Sequence, residues 1–279
     1  MPADSDFRML LLDLDGTTLT EDRALAPVDV EAAHALRDAG VHVTIATGRL
    51  FPGTQWVAKE LGIDAPVAVL NGNELIHAST AQTVSGHYVE ASVRRQARQI
   101  LYDHGLQAFL FGSRGIHLGA AAVAHAPYLQ IWSPDLHHHD DVFDVTHWNE
   151  ADDIVAVCAV GDDDAVASAA AALEEHLPQG IGSVAFDTYT GERFLHVSGT
   201  VWDKGTALKQ LAQDRGLRPE QVVAVGDWWN DEPMIASAGR GYAMAHATDE
   251  LKHIADEVLD ASRNGGAIAE VARRVWGIR

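Results

Sequence analysis

Two kinds of apolar run alternate along the chain. Short, largely apolar runs such as Leu10-Leu11-Leu12, Val41-His42-Val43-Thr44-Ile45-Ala46 and Val67-Ala68-Val69-Leu70 suit strands buried on both faces. Between them lie stretches whose apolar residues recur every three or four positions, the spacing of a helix with one buried side. This pattern predicts strands at 9–14, 41–46 and 67–70 and helices at 28–39 and 53–61, the order of a parallel sheet with crossover helices. It resumes after about Val197 with a helix at 204–213, strands at 222–225 and 242–245 and a last helix at 268–275. The middle reads differently: a helix carrying Arg94, Arg95 and Arg98, a β-like pair at 107–118, an alanine-rich helix at 120–128, a strand at 154–160, a helix at 164–177 and a strand at 184–188. The fold class expected is therefore α/β, a parallel-sheet core with helices on both faces formed by 1–84 and 195–279. A smaller α/β domain, 85–194, is inserted into it.

Polar residues cluster where the strands end. The first apolar run leads into Asp13-Leu14-Asp15-Gly16-Thr17, and side chains two apart on a strand point the same way, so both carboxylates can converge on one ligand. Like charges that close require a cation between them or a proton on one of them. A second acidic cluster, Gly226-Asp227-Trp228-Trp229-Asn230-Asp231, follows the run Val222-Val223-Ala224-Val225. Strand ends of a parallel sheet open onto one crevice, so the two clusters can meet there. Aspartates gathered in this way suit a hard divalent ion with oxygen ligands, Mg²⁺ rather than the Zn²⁺ that His or Cys would favour. Thr47-Gly48-Arg49 ends another strand with a hydroxyl and free backbone N–H groups suited to phosphate oxygens. Asp203-Lys204-Gly205-Thr206 places an ammonium near a helix start. Thr47-Gly48 can equally be an ordinary turn, and Lys204 an ordinary surface lysine.

Taken in order, Asp13-Leu14-Asp15-Gly16-Thr17, Thr47-Gly48-Arg49, Lys204-Gly205 and Gly226-Asp227 with Asn230-Asp231 resemble the four-motif signature of the haloacid dehalogenase superfamily. Asn71-Gly72 and the long insertion before Lys204 resemble its Cof-type phosphatases in particular, and Asp15 separates the chain from the dehalogenases, which lack that second aspartate. The resemblance implies a Rossmann-like core with an inserted cap domain. It also implies a Mg²⁺-dependent phosphatase that acts on a small phosphorylated metabolite, a sugar phosphate first. Asp13 would be the nucleophile that forms an aspartyl phosphate, and Asp15 the general acid and base, its backbone carbonyl binding the metal. Asp227 and Asp231 would complete the metal shell, directly or through water. Gly16, Thr47, Gly48, Arg49, Asn71, Lys204 and Asn230 would hold phosphate oxygens. A phosphomutase would use the same residues, whereas a non-catalytic binding protein would have no evident need of both Asp13 and Asp15. The cap would read the leaving group, with His117, His125, Tyr128, Tyr189, Glu192 and Arg193 as candidates. Trp228-Trp229 either narrows the pocket mouth or packs beneath the cap.

Composition narrows the picture further. With 40 acidic against 20 basic residues the net charge is −20, which opposes binding to nucleic acid or to anionic membranes. The same field repels a phosphorylated substrate, so local compensation has to come from the metal, Lys204 and cap arginines. No apolar stretch is long enough to span a membrane, which also excludes a transport ATPase, and Met1-Pro2-Ala3-Asp4 does not open a leader, so a cytoplasmic protein is expected. The single cysteine, Cys158, lies in an apolar run and reads as a buried, inert thiol. Ser133-Pro134-Asp135-Leu136-His137-His138-His139-Asp140-Asp141 reads as an exposed loop, since consecutive residues on an extended chain point to opposite faces and cannot all grip one ion. The sequence does not give the oligomeric state.

Overall fold

The computed structural model describes residues 6–187 and 191–278. The chain divides into two compact units, Met1–Gly48 with Thr54–Val84 and Asp203–Arg279, and Arg49–Gly53 with Ser85–Trp202. Met1-Pro2-Ala3-Asp4 and the cap candidate Tyr189 lie outside the described residues.

The first unit opens with β1 (Met9–Leu12), α1 (Pro27–Asp38), β2 (His42–Ile45), α2 (Phe51–Glu60), β3 (Pro66–Val69), β4 (Glu74–His77) and β5 (Thr83–Gly86). Every residue of β1 is buried, as an unbroken apolar run between two layers of helix must be. Residues α3 (Ala91–Asp103), β6 (Gln107–Gly112), β7 (Gly115–Gly119), α4 (Ala126–Trp132), β8 (Leu136–His139), α5 (His147–Glu150), β9 (Ile154–Gly161), α6 (Asp163–His176), β10 (Gly182–Asp187) and β11 (Arg193–Ser198) build the second unit. The chain then returns to the first with α7 (Lys204–Asp214), β12 (Val222–Gly226), α8 (Glu232–Ser237), β13 (Arg240–Ala243), α9 (Asp249–Ile254), β14 (Glu257–Val258) and α10 (Ala267–Val271).

The main sheet of the first unit runs β14-β13-β12-β1-β2, all parallel, with Leu12 registered against both Val225 and Ile45. A bridge between Ala46 and Ala68 brings β3 alongside, and β4 and β5 continue from it. From β1 the chain steps outward to β2, whereas from β12 it steps the other way to β13 and β14. Right-handed crossovers then put their helices on opposite faces. Accordingly α1 packs on α10, and α7 on α8. The order reverses between β1 and β12, the position where open parallel sheets bind ligands.

The second unit is a six-stranded sheet, β10-β11-β9-β6-β7-β8, antiparallel except for β7 with β8. One face carries Leu110, Val157, Leu195 and the fully buried Trp148 in a single apolar cluster. Cys158 is buried as expected, and burial pushes its thiol up. The boundary expected at 194 falls inside β11, which pairs along its whole length with β9 and β10, so the unit continues to Trp202. The expected alanine-rich helix is a 3₁₀ turn over Ala120–His125, and α4 restarts at Ala126 because Pro127 suits only a first helical turn. His137–His139 do not form an exposed loop. They belong to β8, an edge strand held by β7. The cap arginines are engaged with backbone: Arg94 is buried and donates to the carbonyls of Trp148, Val89 and Ala151, and Arg98 donates to Phe143.

Candidate active site

The ends of β1 and β12 carry the acidic residues. The Asp13 N–H donates to the Val225 carbonyl at 3.0 Å, which extends the sheet one residue past β1. The chain then curls tightly, with Thr17, Thr18 and Leu19 all donating to the Leu14 carbonyl and Thr18 Oγ1 donating to Asp13 O at 2.6 Å. Gly16 sits in this curl at φ +82°, and a Cβ there would stand 2.2 Å from Asp227 Oδ2. The glycine is thus a spacer that lets the first acidic loop lie directly against the second. Beside it, Thr17 Oγ1 donates to Asp227 Oδ1 at 3.1 Å.

After β12, Asp231 folds its own loop. Its Oδ2 accepts the N–H groups of Asp227 at 2.9 Å and Trp228 at 3.0 Å. On the next helix, Asp203 caps the start of α7 by accepting the Thr206 N–H at 2.7 Å, which makes Lys204 its first residue. A Cβ on Gly205 would meet the Pro233 carbonyl at 2.5 Å, so only glycine lets α7 close on α8. Lys204 Nζ then reaches Asp13 Oδ1 and Asp231 Oδ1, each at 2.5 Å. Carboxylate oxygens of Asp13, Asp227 and Asp231 lie within 4.8 Å of one another, and all three residues are buried.

Electrostatics follow from this crowding. Burial, with the charges of Asp231, Asp227 and Asp15, holds the Asp13 carboxyl well above its usual range, against the pull of Lys204. Burial raises Asp231 as well, again opposed by Lys204. For Lys204 burial works against the charge, but the two carboxylates outweigh it and hold the ammonium above its ordinary value. One lysine cannot neutralise three carboxylates, so the site favours a further cation or protons.

The remaining expected residues separate into two groups. Thr47 is buried at the end of β2, its N–H donating to Ala68 and its carbonyl accepting from Asn71, with Gly48 next in the chain. Asn71, held at φ +56°, accepts from Asn230 Nδ2 at 2.9 Å, which ties the third strand end to the acidic loop. Asp15 is exposed, whereas Asp13 is buried, so the two aspartates face different surroundings. Arg49 is buried two residues after Thr47, is grouped with the second unit, and donates to Gly53 O at 3.2 Å. Trp228 and Trp229 are 47% and 39% exposed, too open for core packing. His246 was not anticipated. Its Nε2 lies 3.5 Å from Asp227 Oδ2, and the available signal was its position just beyond the apolar strand β13. Among the cap candidates, His125 pairs with Glu192 at 3.0 Å, Arg193 with Asp187 at 3.0 Å, Tyr128 packs on Phe194, and His117 contacts His139.

A family model of haloacid dehalogenase-like hydrolases matches residues 10–271. The chain belongs to that family. As a haloacid dehalogenase-like hydrolase it is 29% identical over 273 residues to a phosphoglycolate phosphatase of Haloarcula marismortui, covering 96% of this chain and 98% of the relative. An HMP-PP phosphatase of Cronobacter sakazakii is 27% identical over 248 residues, covering 88% of this chain and 86% of its own. A solved haloacid dehalogenase-like hydrolase from Bacteroides thetaiotaomicron superposes with a TM-score of 0.82 at 22% identity, covering 96% of this chain and 99% of that one. The hydrolase is thus of the phosphatase class and Cof type, and its fold is the Rossmann-like core with a cap that the motifs implied. No helix among the described residues is long and apolar enough to cross a membrane.

Proposed function

We propose that the chain is a Mg²⁺-dependent phosphatase that hydrolyses a small phosphorylated metabolite, a sugar phosphate first, through an aspartyl phosphate on Asp13. The observation that carries this reading is the Lys204 ammonium bonded at once to Asp13 and Asp231, with Asp227 completing a buried trio of carboxylates. Their donor set, all hard oxygen with no sulfur, fits Mg²⁺. Asp13, Asp227, Asp231 and the Asp15 carbonyl would hold it, and when bound it would offset the repulsion between these carboxylates and the phosphate.

An Asp13 carboxylate oxygen attacks phosphorus in line with the leaving oxygen. The bond to that oxygen breaks, and Asp15 donates its proton to it. Water then attacks the phosphorus of the aspartyl phosphate, Asp15 takes the water's proton, and Asp13 departs with the electron pair of the broken bond. Lys204 lowers the repulsion on approach, and Thr47 and Asn230 hold the equatorial oxygens. Asn71 orients Asn230 by accepting its amide N–H. The relatives act on different substrates by name, so the shared core supports the reaction and leaves the substrate to the cap.

The test is inorganic phosphate release from a panel of phosphorylated sugars, phosphoglycolate and phosphorylated pyrimidines, with Mg²⁺ and with chelator, on wild type and Asp13→Asn. Metal-dependent release that falls by about a thousandfold or more in the variant is expected. Release that survives the substitution would remove Asp13 as nucleophile. Transfer to a second sugar position without free phosphate would make the enzyme a mutase.

A further inference from the structure

Outside the acidic site, four imidazoles gather on one patch of the second unit. β7 and β8 run parallel with His117 registered against His137, and His139, two residues on, shares its face. The rings of His117 and His137 are 4.7 Å apart, and those of His117 and His139 are 5.2 Å apart. His117 Nδ1 lies 2.9 Å from His139 Nε2. From α5, His147 lays its ring 4.1 Å from that of His117 and 6.1 Å from that of His139. Its Nδ1 is buried with no hydrogen-bond partner among the described residues. Gly115, two residues before His117, makes room for the group, since a Cβ there would stand 2.6 Å from His137 Nε2.

We propose that His117, His137, His139 and His147 form a second metal site, for a divalent transition ion of the imidazole-preferring kind, represented by Zn²⁺. Three elements supply the donors, and His138, which points to the opposite face of β8, takes no part. The donor set is all nitrogen, and no carboxylate pairs with any of the four rings among the described residues, so the patch discriminates against Mg²⁺ and Ca²⁺. A metal ligand must be unprotonated. Burial together with the neighbouring His147, His137 and His139 pushes His117 down to about 3, and burial with His147, His137 and His138 lowers His139. His117 and His139 therefore offer free nitrogen lone pairs at neutral pH. In the structure described here they stack rather than converge, as only the carboxylate trio brings three ligand atoms within 4.8 Å among the described residues. Binding therefore requires side-chain torsions to turn the rings toward one point, and His137, being exposed, is the freest to do so. Once bound, the ion ties edge strand β8 to β7 and α5.

Equilibrium dialysis of the full chain against Zn²⁺, with excess Mg²⁺ present, tests the site. Wild type, His138→Gln and Asp227→Asn are expected to hold one Zn²⁺ each, whereas the double variant His137→Gln with His139→Gln binds at least about tenfold more weakly. Circular dichroism in chelator checks that the double variant is folded. If it is not, His137→Gln alone, a change to an exposed ring, asks the same question. Absence of stoichiometric Zn²⁺ in wild type, undiminished binding in the His137→Gln with His139→Gln variant, or loss in Asp227→Asn alone would each overturn the proposal.

Discussion

Lys204 is the residue on which the site's electrostatics turn. Its ammonium is buried between Asp13 and Asp231, and removing it leaves two carboxylates in low dielectric with no cation. Lys204→Met is expected to lower the unfolding free energy in chelator by about 3–5 kcal/mol, the cost of breaking a buried ion pair from one side. Urea titration measures it, and a loss under about 1 kcal/mol would mean that protons replace the ammonium at no net expense. Gly16 makes a sharper steric prediction. Because a Cβ would overlap Asp227 Oδ2 and the φ of +82° disfavours any side chain, Gly16→Ala must push the two acidic loops apart. A displacement of about 1 Å costs on the order of 100-fold in rate, so kcat/KM of the best substrate should fall at least that far. Near-normal turnover would show that the loops need not touch.

At the scale of elements, the position of α7 matters more than its length. The Asp203 cap fixes where the helix begins and so where Lys204 points. Asp203→Ala is expected to cost about 1 kcal/mol of stability and, under the proposed mechanism, to reduce kcat more than it raises KM, since it loosens Lys204. Steady-state kinetics beside thermal melts check both parts. Asp29 in α1 plays a comparable part for α10, accepting the N–H groups of Gly266 at 2.6 Å and Ala269 at 3.0 Å. Asp29→Ala should destabilise the fold by about 1–2 kcal/mol without changing KM. The β7–β8 pair shows what an edge strand can carry: three histidines in a row pair because the neighbouring strand supplies the backbone partners, whatever their hydropathy.

For the whole molecule, acid should be destabilising through buried histidines. His196 lies in β11 with its Nε2 unpartnered, and burial lowers it from 6.5 to about 4. Below pH 6.5 the unfolded chain takes up a proton that the folded one refuses until about pH 4, so stability is full above that window and is lost as pH falls through it. At about 1.4 kcal/mol for each pH unit, the 2.5 units between these values correspond to about 3 kcal/mol. The buried carboxyls of Asp13, Asp29 and Asp231 work in the opposite sense, because their raised folded values favour proton uptake by the native state. His196→Gln should therefore lose less stability than wild type between about pH 7 and about pH 5, measured by urea midpoint. Parallel losses in the two proteins would show that His196 titrates as an ordinary histidine.

The apolar runs of the sequence determined the parallel sheet, since β1, β2 and β12 have no other way to bury both faces, and the carboxylates at their ends followed from where those runs stop. Asp13, Asp227, Asp231 and Lys204 were legible because each sits at an element boundary, and their meeting rests on β1 and β12 being neighbours. Tertiary structure alone decided what depends on residues far apart in the chain. It set Gly16 against Asp227, brought His246 to the same carboxylate, gave Arg49 to the second unit, and carried that unit past 194 through the pairing of β11. It also turned His137–His139 from an apparent loop into a strand that meets His117 and His147. Local patterns record which faces are buried. Which buried or polar groups come together is fixed by sheet order and packing, and those are properties of the whole chain.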